Sequence, residues 1–355
     1  MAANHNSRPD LGRKQRSDIL RNIVKRVRKS HINVAGVDYA EWEREIQRQE
    51  PALLAAETER FENGVRELLK LLKSSHTGFF HGVQNRFLPQ HTINATFKAV
   101  NHGGSERWMF LDVFPEGPAD KAGIRPGDFL VSVDGVAFSS PTYPPFTTGQ
   151  THQLVIGDIE NTRRRTVSIS IPFRKGTKQR PPIVEPKAVT ARILEPGIGL
   201  LRVPYFSGAA GIRFGKELKS AIDDLKAQKC DRLILDLRGN IGGSLGFAIL
   251  ASYLCPDQRP IGFSITPKSL RDGYYKEKLP RVPMPGSKGS LFLTLGAFAF
   301  RDKTVALLTQ GLGPQPFHGR TVVLVNEWTE QRVRDARQFC AGESSRDHYR
   351  PENRR

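Results

Sequence analysis

The residues best suited to chemistry lie at the end of an apolar run, Leu233-Ile-Leu-Asp-Leu237, which passes into Asp236-Leu-Arg-Gly-Asn-Ile-Gly-Gly243. Glycines at a strand-to-helix turn let the backbone approach a ligand closely. They also let successive N–H groups, aided by the N-terminus of a helix starting near Ser244, point at one negative charge. Two anions fit such a turn. One is the oxyanion of an acyl-transfer intermediate, with Gly242 and Gly243 supplying part of the hole. The other is a phosphate, but the Gly-x-Gly-x-x-Gly spacing and the Walker lysine are both missing. A tight packing turn without a ligand is the third reading.

The turn needs an α/β core to hold it, and the chain supplies one. Strand-like Ile198-Gly-Leu-Leu-Arg-Val203, a helical pattern from Ile212 to Leu225, the run at Leu233 and a further buried strand, Thr321-Val-Val-Leu-Val-Asn326, alternate as in a sheet with crossover helices. Upstream, residues 90–175 read as short alternating strands such as Arg107–Val113 and Thr166–Pro172, which indicates a small β-rich domain. The first 80 residues carry three helical patterns. The last presents Phe61, Val65, Leu68, Leu69 and Leu72 on one face, with Pro51 expected at its start. Residues 257–316, rich in Pro, Gly and Lys, read as an irregular insertion over the core.

Val113-Phe-Pro-Glu-Gly-Pro-Ala-Asp-Lys-Ala-Gly-Ile-Arg-Pro-Gly-Asp-Phe-Leu-Val-Ser-Val-Asp-Gly135 resembles the PDZ domain. Pro118 opens a short helix, Gly123 caps it, Pro126-Gly127 turns the chain and Asp134-Gly135 closes a hairpin. The resemblance implies a module that adds an extended peptide to a sheet edge. His102-Gly103-Gly104 is the nearest substitute for the family's carboxylate-binding loop.

Asp236–Gly243 resembles the signature of the tail-specific (C-terminal processing) and tricorn-like serine proteases. That implies a crotonase-like α/β core and an α+β multidomain fold. The expected order is a helical region over 1–80, PDZ over 90–175, and a partial protease core over 186–329 that is incomplete at its C-terminus. Asp236, Arg238 and Asn240 support the motif. Leu72-Lys-Ser-Ser-His-Thr-Gly-Phe79 is similar to the family's segment ahead of the PDZ domain. By that likeness His76 is the general base and Ser75 orients it, whereas the tail-specific branch uses a serine with a downstream lysine. The implied activity is peptidase action on unstructured peptides or protein C-termini, with a non-catalytic peptide-binding protein as the alternative. No cofactor or metal is implied.

The likeness breaks after Thr329. Where the family places its nucleophile serine this chain has Gln331, whose amide cannot form an acyl intermediate. Residues 330–355 contain seven Arg and no Lys. Shifting the frame by one base permits Asn-Ser-Ala-Ser-Glu-Met from residue 330, and Lys-Val-Ala-Gly-Ile-Ile-Ile-Gly-Gln-Lys-Thr from residue 343. The expectation is therefore a frameshifted or truncated copy with an out-of-frame tail, inactive as written.

Composition bounds the rest. At 355 residues and 38% apolar content the chain can bury several cores. The net charge is +18, and residues 8–29 hold nine Lys or Arg against two Asp. Ile19, Leu20, Ile23, Val24 and Val27 recur there at helical spacing, so the cations read as the solvated face of an amphipathic helix, and neither a nucleic-acid nor a membrane partner is expected. Cys230, Cys255 and Cys340 form neither a pair set nor a CxxC motif. With no export signal or apolar span of about 18 residues, a reducing cytoplasm is the expected compartment.

Overall fold

The computed structural model describes residues 10–31, 36–74, 77, 79, 88–102, 105–137, 144, 146–158, 163–173, 183–208, 211–243, 245–287, 289–292, 294 and 304–329. The chain divides into two compact units, Met1–Asn85 with Ile265–Tyr275, and Arg86–Ser264 with Lys276–Arg355.

The first unit is helical: α1 (Arg13–Ser30), α2 (Tyr39–Ala55) and α3 (Thr58–Lys70). Leu20 and Val27 of α1 join Trp42, Ile46 and Leu53 of α2 and Phe61, Val65, Leu68 and Leu69 of α3 in one core. Asp38 caps α2 by accepting from the N–H groups of Ala40 and Glu41. Pro51 lies inside α2, not at the start of α3 as the sequence suggested. Burial of Leu53 beyond it keeps the helix going, and α3 starts afresh at Thr58. On α1, Lys14, Arg21, Lys25 and Lys29 are exposed, in keeping with a solvated face. Arg16 is the exception: it is buried, donates to the Leu54 carbonyl at 3.1 Å, and lies over the Phe61 ring.

In the second unit, α4 (Pro89–Thr92) leads into an antiparallel sheet of β1 (Ala95–His102), β2 (Ser105–Val113), β3 (Phe129–Val133), β4 (Val136–Ala137), β5 (Thr151–Gly157) and β6 (Arg164–Ser170), with α5 (Pro118–Lys121) between β2 and β3. Its order is β1-β2-β3-β5-β6, with β4 beside β3, so β1 is an edge strand. Ile93, Phe97, Trp108, Phe110, Ile124, Leu154, Ile156 and Ile169 form its core. Phe97 meets Trp108, Phe110 and Phe146 edge-on at 5.3–6.0 Å between ring centroids. Asp134 and Gly135 both have positive φ, as the two-residue β3–β4 hairpin requires. His102 ends β1 and pairs with Ser105 of β2, whereas Gly103 and Gly104 lie outside the described residues.

The α/β layer is a second sheet in the order β13-β9-β8-β7, from β7 (Thr190–Glu195), β8 (Ile198–Arg202), β9 (Arg232–Asp236) and β13 (Thr321–Leu324). β8, β9 and β13 run parallel, and α6 (Ile212–Ala227) provides the β8-to-β9 crossover. Leu201, Val203, Phe214, Leu218, Leu233, Leu235 and Leu237 fill the core, with Ile249 and Leu250 from α7 (Gly246–Leu254). The region expected to be irregular is more ordered than its composition suggested. In the second unit it contains β10 (Pro260–Ser264), β11 (Arg281–Pro283) and β12 (Val305–Leu308), which pair in the order β10-β12-β11, while α8 (Pro267–Asp272) belongs to the first unit. Buried Val305, Ala306 and Leu308 supply the apolar pattern that the surrounding Pro, Gly and Lys obscure.

Candidate functional site

β9 ends at Asp236 and the next seven residues fold into a tightly wired turn. Asn240 is fully buried: its Nδ2 donates to the Val203 carbonyl at 2.7 Å, and its Oδ1 accepts from the Gly242 N–H at 2.7 Å. The Asn240 amide itself donates to the Leu237 carbonyl at 3.0 Å. Asp236 accepts from the backbone N–H of Arg238 and, through both carboxylate oxygens, from its guanidinium. Burial raises the pKa of Asp236, but these hydrogen bonds and the charges of Arg202 and Arg238 outweigh it and hold the carboxyl below its ordinary value.

Gly243 sits at φ 141 with its backbone against Phe206, and a Cβ there would lie 2.4 Å from the Phe206 carbonyl oxygen. Only glycine fits. The Gly242 N–H is already taken by Asn240, whereas no acceptor for the Gly243 N–H is found among the described residues. The two glycines expected to act together thus differ, and Gly243 is the one whose amide is free to meet an anion.

Behind the turn, the segment that follows β13 is laced to it by side chains. Asn326 Oδ1 accepts from the Gly239 N–H at 2.8 Å, and the Thr329 hydroxyl lies 3.0 Å from both the Leu237 carbonyl and Asn326 Oδ1. The Asn326 N–H donates to the same hydroxyl. Thr329 is fully buried. These contacts fix where the chain leaves β13, at the point where the expected nucleophile segment begins.

In front of the turn lies a cavity of about 720 Å3. One wall is the edge strand β1, through Thr96, Phe97, Lys98 and Ala99; another is formed by Tyr205, Phe206, Ile241, Gly242 and Gly243. Trp108 of β2 and the Leu88–His91 segment complete it. His91 is the histidine at this cavity, with Nε2 3.5 Å from Glu185, and Glu185 is held in turn by Arg213. Ser75, His76, Ser244, Gln331 and Cys340 lie outside the described residues, so the roles expected for Ser75 and His76 stay expectations. Among the described residues, no group of His, Cys, Asp and Glu could hold a metal ion, and no helix is long and apolar enough to cross a membrane.

Sequence reasoning picked out Asp236, Arg238, Asn240, Gly242 and Gly243, and the structure brings all five into one turn. It missed Arg202, Asp112, Asn326 and Thr329. The last two stood in a segment read only for its likeness, although a Thr three residues after an Asn is a local signal for a side-chain-closed turn. Nothing local in sequence could pair Asp112 with Arg202, which are 90 residues apart.

An antiparallel sheet with β1 at its edge faces a glycine turn on an α/β core across a shared cavity. Residues 110–157 match the PDZ domain model and residues 197–330 the model of peptidase family S41. The chain thus carries a peptidase family S41 segment and a PDZ segment, and is similar to the carboxy-terminal processing (tail-specific) proteases. It is 27% identical over 176 residues to the carboxy-terminal processing protease CtpA of Bacillus subtilis, covering 47% of this chain and 34% of that one. It is 25% identical over 231 residues to the chloroplastic C-terminal processing peptidase of Tetradesmus obliquus, covering 60% and 48%. The chain spans about a third of the length of the Bacillus relative it matches. In fold it is similar to a photosystem II D1 C-terminal processing protease, with a TM-score of 0.53 at 17% identity over 92% of this chain and 78% of that one.

Proposed function

We propose that this sequence represents a serine-type peptidase that captures unstructured peptides or protein C-termini along the open edge of its PDZ sheet and presents them to the glycine turn. The supporting observation is the cavity that β1 shares with Gly242 and Gly243. A strand added to an edge satisfies its backbone there, and a carbonyl reaching Gly243 would meet a free N–H. His76, with Ser75, is the proposed base; a serine–lysine pair is the alternative from the other branch of the family. No cofactor takes part, and a cytoplasmic setting is proposed from the cysteine pattern.

The chain as written is proposed to bind without cutting, because Gln331 stands where the nucleophile belongs. That substitution favours a second reading, a peptide-binding protein with no catalytic parent. One experiment separates the two. The coding DNA is sequenced from the codon of Asn326 onward, and the product is tested with unstructured peptides and a serine-directed fluorophosphonate. A single missing base, with labelling and cleavage appearing once it is restored, supports the peptidase. An intact frame with peptide binding and no labelling leaves the binding protein, and absence of binding in either form refutes both.

A further inference from the structure

Arg202, the last residue of β8, sits between two carboxylates that belong to different layers. Its Nη2 donates to Asp112 Oδ1 of β2 at 2.7 Å; its Nη1 donates to the Asp236 carbonyl at 3.3 Å and lies 3.8 Å from the Asp236 carboxylate. Among the described residues it is the one cation paired with both. The chain of contacts continues outward at each end. Asp112 bonds Thr96, with its N–H donating to the Thr96 hydroxyl at 3.1 Å, and Thr96 is part of the cavity wall on β1. Asp236 organises Arg238 and the turn whose Gly242 and Gly243 form the opposite wall. Apolar contacts run alongside: Met109 and Leu111 of β2, with Val100 and Phe129, pack against Ile241 and Trp328.

We infer that Arg202 is a positioning residue of the peptide cavity: by clamping Asp112 and Asp236 together it sets the spacing between the edge strand β1 and the glycine turn, so a change at one wall is felt at the other. This rests on the proposed peptide-binding role only for its consequence, not for the coupling itself. The bridge serves geometry more than stability. Burial raises the pKa of Asp112 even against the charge of Arg202, so a desolvation cost stands against the attraction of the pair. What the planar guanidinium supplies is a fixed fork that a flexible ammonium does not reproduce.

The test is amide hydrogen exchange on the full chain, comparing wild type with Asp112→Asn, Arg202→Met, Arg202→Lys and Arg165→Met. Asp112→Asn keeps shape while removing the charge on the far side of the seam. It is expected to leave the melting temperature within about 2 °C of wild type. The Gly239 and Gly242 amides are expected to exchange roughly tenfold faster, although the substituted residue touches neither. Arg202→Met speeds the same exchange and also lowers the melting temperature, because it leaves Asp112 and Asp236 without their shared cation, and Arg202→Lys restores only part. Arg165→Met breaks the Arg165–Asp128 pair inside the PDZ sheet and leaves the turn amides unchanged. Turn amides that are unaltered in Asp112→Asn and Arg202→Met, or altered equally by Arg165→Met, overturn the inference. Should Arg202→Met fail to fold, Asp112→Asn carries the comparison. A parallel titration with an unstructured peptide, read by Trp108 fluorescence, separates the two proposals. A wild type that binds no peptide sinks the proposed function while the exchange result still decides the coupling.

Discussion

Asn240→Ala tests whether the glycine turn is held by side-chain wiring or by the fold around it. The side chain closes two hydrogen bonds of 2.7 Å, one to the Val203 carbonyl and one from the Gly242 N–H. Asn240 is fully buried, so neither backbone group gains water when the amide is removed. Each buried orphan costs about 1–3 kcal/mol, which gives roughly 2–6 kcal/mol for the pair. In a unit of this size that corresponds to a fall of about 5–15 °C in its melting temperature. Calorimetry on the full chain reads this as a shift in the transition of the unit that contains the turn. Hydrogen exchange should show the Gly242 amide losing its protection. Asn240→Asp adds a sign. The introduced carboxyl can still accept from Gly242, but it can donate to Val203 only when protonated, so burial and the facing carbonyl raise its pKa. The stability it retains is therefore fully present below the unfolded pKa of about 4 and is lost as pH rises through the folded value. A melting shift under about 2 °C for Asn240→Ala, with the Gly242 amide still protected, would refute the reasoning.

Three further outcomes are expected. Gly243→Ala forces a Cβ to 2.4 Å from a backbone oxygen at φ 141, and should prevent folding of the turn or cost at least about 3 kcal/mol in a urea titration; a loss below about 1 kcal/mol would show that Phe206 can move aside. Thr329→Val removes the hydroxyl joining Leu237 and Asn326 and should destabilise by about 1–3 kcal/mol, whereas Thr329→Ser keeps the bonds and most of the stability, so equal losses in the two variants would count against the clip. Asp236, whose carboxyl is held below its ordinary value, contributes stability that is present above the unfolded pKa of about 3.9 and is lost as pH falls through the folded one. The gap in denaturation midpoint between wild type and Asp236→Asn should therefore narrow from pH 7 to pH 3, and a constant gap would contradict it.

Local chemistry made the fold legible wherever one residue type had one job. Asp134-Gly135 announced a hairpin because two positive φ values in a row are tolerated by few pairs, and Leu233–Leu237 announced a buried parallel strand because every position in it is apolar or caps it. Pro51 misled because its usual place is a helix start, and only the burial of Leu53 shows why α2 continues through it. The sheet of β10, β11 and β12 was hidden because β11 is three residues long and pairs with β12 from more than twenty residues away, too short for an alternation to register. The site divides the same way. Asp236 to Gly243 is contiguous and could be read directly; the partners that fix it, Val203, Phe206, Asn326 and Thr329, come from other strands and loops.

That division bears on what the glycine turn can do. A motif read in isolation suggests two adjacent N–H donors, but the Asn within the motif consumes the first, so the turn presents one free amide and a rigid frame behind it. An oxyanion hole needs a second donor, and under the proposed function the residues that follow Thr329, which lie outside the described residues, would supply it. Under the proposed function, a serine at position 331 would supply the attacking group that the Gln331 amide cannot.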